Sequence, residues 1–124
     1  MLKYDQKYIV FDTETEGLNL HSSKPWQIAW IVCKGYKVIE THNRFLDFKD
    51  LEIPSLVQKL TGFSWDTYNK QKEDPETVLA DFEEYLYDPQ YKIIGQNLLG
   101  FDVYMIAELQ RMFGRKRDFS YFDR

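Results

Sequence analysis

The chain has 124 residues, of which 44% are hydrophobic and 29% charged, and its formal net charge is −4 at pH 7. This composition is typical of one globular domain with a modest core, and the 17% of aromatic residues argues against a disordered chain. A negative net charge provides no overall attraction to nucleic acid, so any binding of that kind must be local.

Cysteine usage and hydropathy exclude several classes of protein. Cys33 is the single cysteine, which rules out an intramolecular disulfide and fits a reducing, cytoplasmic compartment. No Cys/His cluster with zinc-ligand spacing is present. No apolar run approaches the roughly 18 residues of a membrane-spanning helix, and no signal-peptide pattern precedes the first strand. We therefore expect no membrane partner.

The predicted elements follow from apolar periodicity and from turn residues. In chain order they are a strand at 7–13, a loop at 14–25, strands at 26–34 and 36–46, a short helix at 56–60, a helix at 75–86, a strand at 91–95, a helix at 100–113 and the start of a strand at 119–124. The second and third strands form an antiparallel hairpin across Gly35. Strands joined by helical crossovers predict a mixed α/β sheet with parallel pairing in its second half.

Two acidic residues stand at the end of the first apolar strand. Because side chains alternate along a strand, Asp12 and Glu14 lie on the same side as Val10. Neighbouring carboxylates raise each other's pKa or require a cation, and no Lys or Arg occurs in the seven residues after Glu14. A divalent cation such as Mg²⁺, which favours oxygen ligands, would neutralise them. The structural alternative is a pair of solvated turn residues.

A third carboxylate follows the predicted strand at 91–95. Asp102 lies in the first turn of the next helix, where its structural role would be to complement the helix dipole. In mixed sheets ligands gather at the carboxyl ends of strands, so Asp102 is expected to approach the acids of the first strand. Three such carboxylates can hold two metal ions that clamp the attacking and leaving oxygens of a phosphodiester.

The stretch FDTETEGL, followed about 80 residues later by GQNLLGFD, resembles the first two motifs of the DEDD (DnaQ-like) 3′→5′ exonuclease superfamily. The segment from LVQKLTG to EEYL is similar to the corresponding part of proofreading exonuclease subunits. The resemblance spans nearly the whole chain. It implies an RNase H-like mixed sheet, with three antiparallel strands followed by parallel strands and helical crossovers.

The resemblance also implies two sets of site residues. The catalytic ligands of two Mg²⁺ or Mn²⁺ ions would be Asp12, Glu14 and Asp102. Substrate contacts would come from Thr13, Thr15, Leu18 and Asn97. For the last two, a loop anchor in the core and a polar cap of a turn are the structural alternatives.

The family's third motif has no counterpart in the expected place. It contains a fourth Asp, with a His five residues before it or a Tyr four residues before it. In the family, that His or Tyr activates the attacking water. His21 and His42 are the two histidines, and neither lies at that position. We therefore expect residues 1–124 to form a single, incomplete domain without its last helices, and a rate lowered by about 10²–10⁴-fold. Asp123 is expected to have a structural role.

These observations favour a proofreading-type exonuclease that acts on a single-stranded or frayed 3′ end of DNA. RNA remains an open alternative substrate, and a DNA polymerase in the same or another chain is the expected partner. The second hypothesis is a non-catalytic nucleic-acid-binding or protein-binding module on the same fold. A third, an RNase H-like endonuclease, is disfavoured by the five-residue spacing of Asn97 and Asp102.

Overall fold

The computed structural model describes residues 5–17, 23–94 and 101–123, with side chains described as far as residue 121. The elements are β1 (Lys7–Thr15), β2 (Pro25–Lys34), β3 (Lys37–Phe45), α1 (Ser55–Thr61), α2 (Trp65–Gln71), α3 (Pro75–Leu86), β4 (Tyr91–Ile94), α4 (Phe101–Met112) and a 3₁₀ helix (Ser120–Asp123). Within these ranges, no helix has the length and apolarity needed to cross a membrane.

The four strands form one sheet in the order β3-β2-β1-β4. β2 pairs antiparallel with both β1 and β3, whereas β4 pairs parallel to β1, with Ile93 beside Ile9. The crossover from β3 to β4 includes α3, as expected for a parallel connection. The predicted mixed α/β sheet is therefore confirmed.

Alternate side chains of β1 lie on two different faces of the sheet, one covered by helices and one open. Ile9 and Phe11 are buried against the helices, whereas Val10 and Asp12 on the alternate positions are exposed. Phe82 of α3 fills the centre of the covered face, with its ring centroid 5.2 Å from that of Phe11. Because α3 and α4 occupy this face, the acidic side chains of β1 project from the other.

The start of α3 is the one that the sequence predicts. Asp74 is the N-cap, and its Oδ2 accepts a hydrogen bond of 3.0 Å from the Thr77 backbone N–H. Pro75 occupies the first helical position, where its missing N–H has no cost. The cap fixes where the helix begins and therefore which residues it buries.

A second buried cluster holds α2 against one end of the sheet, and the partly buried Val57 of α1 packs against it. Its centre is formed by Trp26 and Tyr68, together with Leu51 and Ile53. The Tyr68 hydroxyl donates a 2.6 Å hydrogen bond to the Leu46 carbonyl. Helix α2 is absent from the sequence prediction because Tyr68 is its single buried residue, which gives no apolar period.

The predicted loop at 14–25 is wrong at both ends. Glu14 and Thr15 continue β1, and Pro25 already belongs to β2. Thr15 pairs with Pro25 after a register shift between Glu14 and Thr15. Polar residues at these positions look like a loop in sequence, but pairing with the neighbouring strand keeps the backbone extended.

The predicted strand at 119–124 is also wrong, because the segment forms a 3₁₀ helix over Ser120–Asp123. Asp118 Oδ1 accepts a hydrogen bond of 2.9 Å from the Ser120 backbone N–H, which turns the chain. Tyr121 is then buried in the core with its ring 6.0 Å from that of Tyr87. A local side-chain hydrogen bond therefore replaces strand pairing.

Candidate active site

The acidic end of β1 extends past the described part of β4. In the register, Ile94 at the end of β4 lies beside Val10 of β1. Asp12 and Glu14 therefore lie beyond this pairing, and their other neighbours are Ala29 and Gln27 of β2. This position leaves the two carboxylates at the rim of the sheet and on its open face.

Asp102 is held against β1 by two hydrogen bonds to one residue. The Thr13 hydroxyl donates to Asp102 Oδ1 over 2.7 Å, and the Thr13 backbone N–H donates to the same oxygen over 3.1 Å. Both side chains are buried, with 5% and 6% of their surfaces exposed. The first turn of α4 is thus fastened to β1 between its two acids, as the convergence of the three carboxylates requires.

The pKa values of the two β1 acids are raised above their ordinary range. Although the residue as a whole is exposed, partial loss of water around the Asp12 carboxylate is the largest cause of its raised pKa, followed by the negative charge of Asp102. Burial also raises the pKa of Glu14, and the adjacent Asp12 charge raises it further. These carboxylates are therefore ionised at an electrostatic cost that a bound cation would relieve.

Within the described residues, Asp12, Glu14 and Asp102 form no ion pair with a Lys, Arg or His side chain. Lys24, the first Lys or Arg after Glu14 in the sequence, pairs with Glu16 over 3.6 Å. In the same ranges, no three or more His, Cys, Asp and Glu side chains form a ready-made metal site. The acids nevertheless fit a divalent cation chemically, since Mg²⁺ is commonly held by one or two carboxylates, waters and substrate phosphates.

A cavity of about 620 Å³ separates the acids from helix α1. Asp12 and Glu14 line one side of it, and Leu56 and Leu60 line the other. These leucines are 66% and 76% exposed, and α1 has no buried residue. An apolar helix face turned toward a cluster of carboxylates suits a ligand with both flat apolar parts and phosphate groups.

Of the four predicted substrate-binding residues, the structure describes two, and both line the cavity. Thr15 lines the cavity, and its hydroxyl donates to the Gly17 carbonyl over 2.5 Å. Thr13 also lines it, but its hydroxyl is engaged by Asp102. Leu18 and Asn97 lie outside the described residues.

Sequence reasoning missed the apolar wall formed by Leu56 and Leu60. The usable signal was their spacing of four residues in a predicted helix, which places both side chains on one face. That signal does not say whether the face is buried or open to a cavity.

Comparison with known proteins supplies the family. The sequence profile of the RNase_T family, described as exonuclease, matches residues 9–123. The chain belongs to this exonuclease family. The resemblance to DEDD exonucleases is thereby confirmed, and divalent-metal dependence is general in that family.

The exonuclease domain matches small parts of much longer proteins. It is 35% identical over 74 residues to a DNA polymerase III PolC-type of Mycoplasmopsis pulmonis, covering 60% of this chain and 5% of the polymerase. It is 31% identical over 84 residues to the PolC-type polymerase of Halalkalibacterium halodurans, covering 68% of this chain and 6% of that relative.

The fold of the exonuclease domain is that of exonuclease I. The structure of the metal-free E. coli exonuclease I complex with ssDNA superposes with a TM-score of 0.80 at 18% sequence identity, over 94% of this chain and 26% of that one. Apo exonuclease I superposes with a TM-score of 0.81. These likenesses confirm the predicted RNase H-like fold.

Proposed function

We propose that this chain is a metal-dependent exonuclease domain that removes nucleotides from the 3′ end of single-stranded or frayed DNA. The observation that carries the proposal is the cavity in which three carboxylates without ion-pair partners among the described residues face the exposed apolar side of α1. Membership of the exonuclease family sets the reaction class, which is hydrolysis of a phosphodiester.

The residues of the cavity have complementary roles in this proposal. Leu56 and Leu60 offer an apolar surface on which the terminal base and sugar can lie. Asp12 and Glu14, with Asp102 beside them, would hold the divalent cations, and the substrate phosphate would bind to those cations. When bound, such cations neutralise the phosphodiester charge and lower the pKa of the attacking water.

Thr13 positions Asp102 in the proposed site. Because its hydroxyl and backbone N–H both bind Asp102 Oδ1, the carboxyl group has one oxygen fixed and the other left for a ligand. Thr13 therefore acts through Asp102, and its hydroxyl is not offered to the nucleotide.

The names of the relatives support a DNA polymerase as the functional neighbour of this domain. Two of them are PolC-type polymerases, and the chain covers 5% and 6% of their lengths. Single-stranded DNA is the ligand named for exonuclease I. We propose that the domain trims a 3′ end in the service of DNA synthesis, in the same polypeptide as a polymerase or beside one.

The test is degradation of a 5′-labelled single-stranded oligonucleotide in the presence of Mg²⁺ or Mn²⁺. The expected product is a ladder of 3′-shortened fragments for the wild-type chain and none for the Asp12→Ala variant. Asp66→Ala is a matched control, because Asp66 is an exposed acid of α2 paired with Lys70. It should degrade the oligonucleotide as the wild type does.

Two other outcomes contradict the proposal. Cleavage of a circular single strand would identify an endonuclease. Binding of the oligonucleotide without shortening, unaffected by Mn²⁺ or by Asp12→Ala, would favour a non-catalytic binding module. One observation favours this second function: the acids among the described residues do not form a complete set of metal ligands.

A further inference from the structure

A second cavity, of about 200 Å³, opens beside the proposed active site. We call it the amide pocket, because the side-chain amides of Gln27 and Asn43 form part of its wall. The rings of Trp26, Phe45 and Phe63 form another part. No acidic or basic side chain is among its lining residues in the described chain, in contrast to the cavity that contains the carboxylates.

The amide pocket adjoins the carboxylate cavity at two places. Thr61, at the end of α1, lines both cavities. Gln27 lies directly opposite Glu14 in the β1–β2 register, so its side chain projects from the same face of the sheet. The amide pocket and the carboxylates therefore lie side by side on this face, close enough for neighbouring nucleotides of one strand to occupy both.

The polar groups of the pocket are only partly used by the protein. Gln27 Nε2 donates a hydrogen bond to Asn43 Oδ1. Within the described residues, the remaining donor and acceptor atoms of these two amides have no partner among the hydrogen bonds of the protein. They are available to a ligand with a polar edge.

The aromatic groups of the pocket form a packed wall. Phe63 meets Trp26 edge to face with 4.8 Å between ring centroids, and Trp26 stacks on Phe45 at 6.1 Å. Trp26 Nε1 is buried and has no hydrogen-bond partner among the described residues. Trp26 is buried beneath the other two rings, so the partly buried Phe45 and Phe63 supply the apolar side of the pocket. Beside the unfilled amides, these two rings match the two parts of a nucleobase, its π-face and its hydrogen-bonding edge.

From these contacts we infer that the amide pocket binds the nucleobase that precedes the 3′-terminal nucleotide of a single-stranded substrate. The inference rests on the proposed function and extends it by naming a second subsite. The absence of charged lining residues in the described chain favours a base over a phosphate or a cation as the occupant.

The experiment compares two substrates of different length. Thymidine 5′-(4-nitrophenyl phosphate) contains a single nucleoside and would reach only the carboxylate cavity, whereas a thymidine pentanucleotide would reach both. The test variants are Gln27→Ala/Asn43→Ala, which removes the amides, and Thr67→Trp, which fills the pocket from α2. Asn69→Ala is the control, because Asn69 is exposed on the same helix and does not line the pocket.

If the inference is right, each test variant raises the KM for the pentanucleotide by about ten- to a hundredfold more than it raises the KM for the nitrophenyl ester. A factor of this size is expected when Thr67→Trp displaces a stacked base and when the double variant removes two hydrogen bonds to that base. The control variant, Asn69→Ala, should hydrolyse each substrate with the same kcat and KM as the wild type. Thermal denaturation of each variant identifies any loss of folding.

Equal kinetic changes with both substrates, or no change with either, would overturn the amide pocket as a subsite while leaving the exonuclease proposal intact. Failure of the wild-type chain to hydrolyse either substrate would instead refute the proposed function, and the subsite with it. Ordinary hydrolysis of the pentanucleotide by the Thr67→Trp variant would show that the base lies elsewhere.

Discussion

The hydrogen bond between Thr13 and Asp102 gives the sharpest test of how the site is assembled. Replacing Thr13 with Val keeps the volume and β-branching of the side chain, which suit a buried strand position. It removes the hydroxyl that donates to Asp102 Oδ1 over 2.7 Å, whereas the backbone N–H at 3.1 Å remains. The change therefore isolates one hydrogen bond in an otherwise preserved site.

The magnitude follows from the burial of both partners. With 5% and 6% of their surfaces exposed, water is nearly excluded from Thr13 and Asp102. A hydrogen bond to a charged acceptor contributes about 1.5–3 kcal/mol. We expect Thr13→Val to lower the free energy of unfolding by that amount and kcat by roughly ten- to a hundredfold, because Asp102 loses its alignment.

Urea denaturation and steady-state kinetics measure the two effects. Thr13→Ser is the matched control, because it keeps the hydroxyl and removes one methyl group, which costs about 0.8 kcal/mol. If Thr13 acts through Asp102, the Ser variant recovers kcat and its dependence on Mn²⁺ concentration. A purely structural role would leave kcat per folded molecule unchanged in both variants.

A double-mutant cycle with Asp102→Ala decides the matter. If the hydrogen bond matters as the geometry implies, the losses caused by Thr13→Val and Asp102→Ala are not additive, and the coupling exceeds about 0.5 kcal/mol. A coupling energy of zero would refute the reasoning, even if each single variant were destabilised.

Three further changes test the charges, the core and the apolar wall. Without divalent cations, the wild type should lose stability as the pH rises from about 3.8 through the raised pKa of Asp12, because the folded state disfavours the ionised acid. Asp12→Asn should reduce this loss in thermal denaturation at several pH values, and an identical pH profile would contradict the assigned burial. Phe82→Ala should lower the free energy of unfolding, measured by urea denaturation, by about 3–5 kcal/mol, because Phe82 is fully buried. The control Tyr104→Ala should lower it by less than about 0.5 kcal/mol, because the Tyr104 side chain is 59% exposed. Leu60→Ala should leave stability nearly unchanged and weaken single-strand binding roughly tenfold in fluorescence anisotropy, from the loss of about 1.5 kcal/mol of apolar contact; unchanged binding would exclude α1 from the substrate site.

The sequence by itself determined the parts of this protein that depend on near neighbours in the chain. The alternation from Ile9 to Glu14 placed two acids on one side of a strand, and the Asp74 cap fixed the start of α3. These features were readable because strand periodicity and helix capping are local rules. The same rules failed at α2, where Tyr68 alone is buried, and at Ser120, where an Asp118 hydrogen bond turned the chain.

Only the tertiary structure decided what surrounds the acids. The sequence offered Thr13 as a substrate contact, but its hydroxyl binds Asp102, which lies 89 positions away in the chain. The exposure of Leu60 and the amide pocket at Gln27 likewise depend on how α1 and α2 pack against the sheet. Such contacts join distant segments, so their geometry is set by the packing of the whole domain and has no signature in any single stretch.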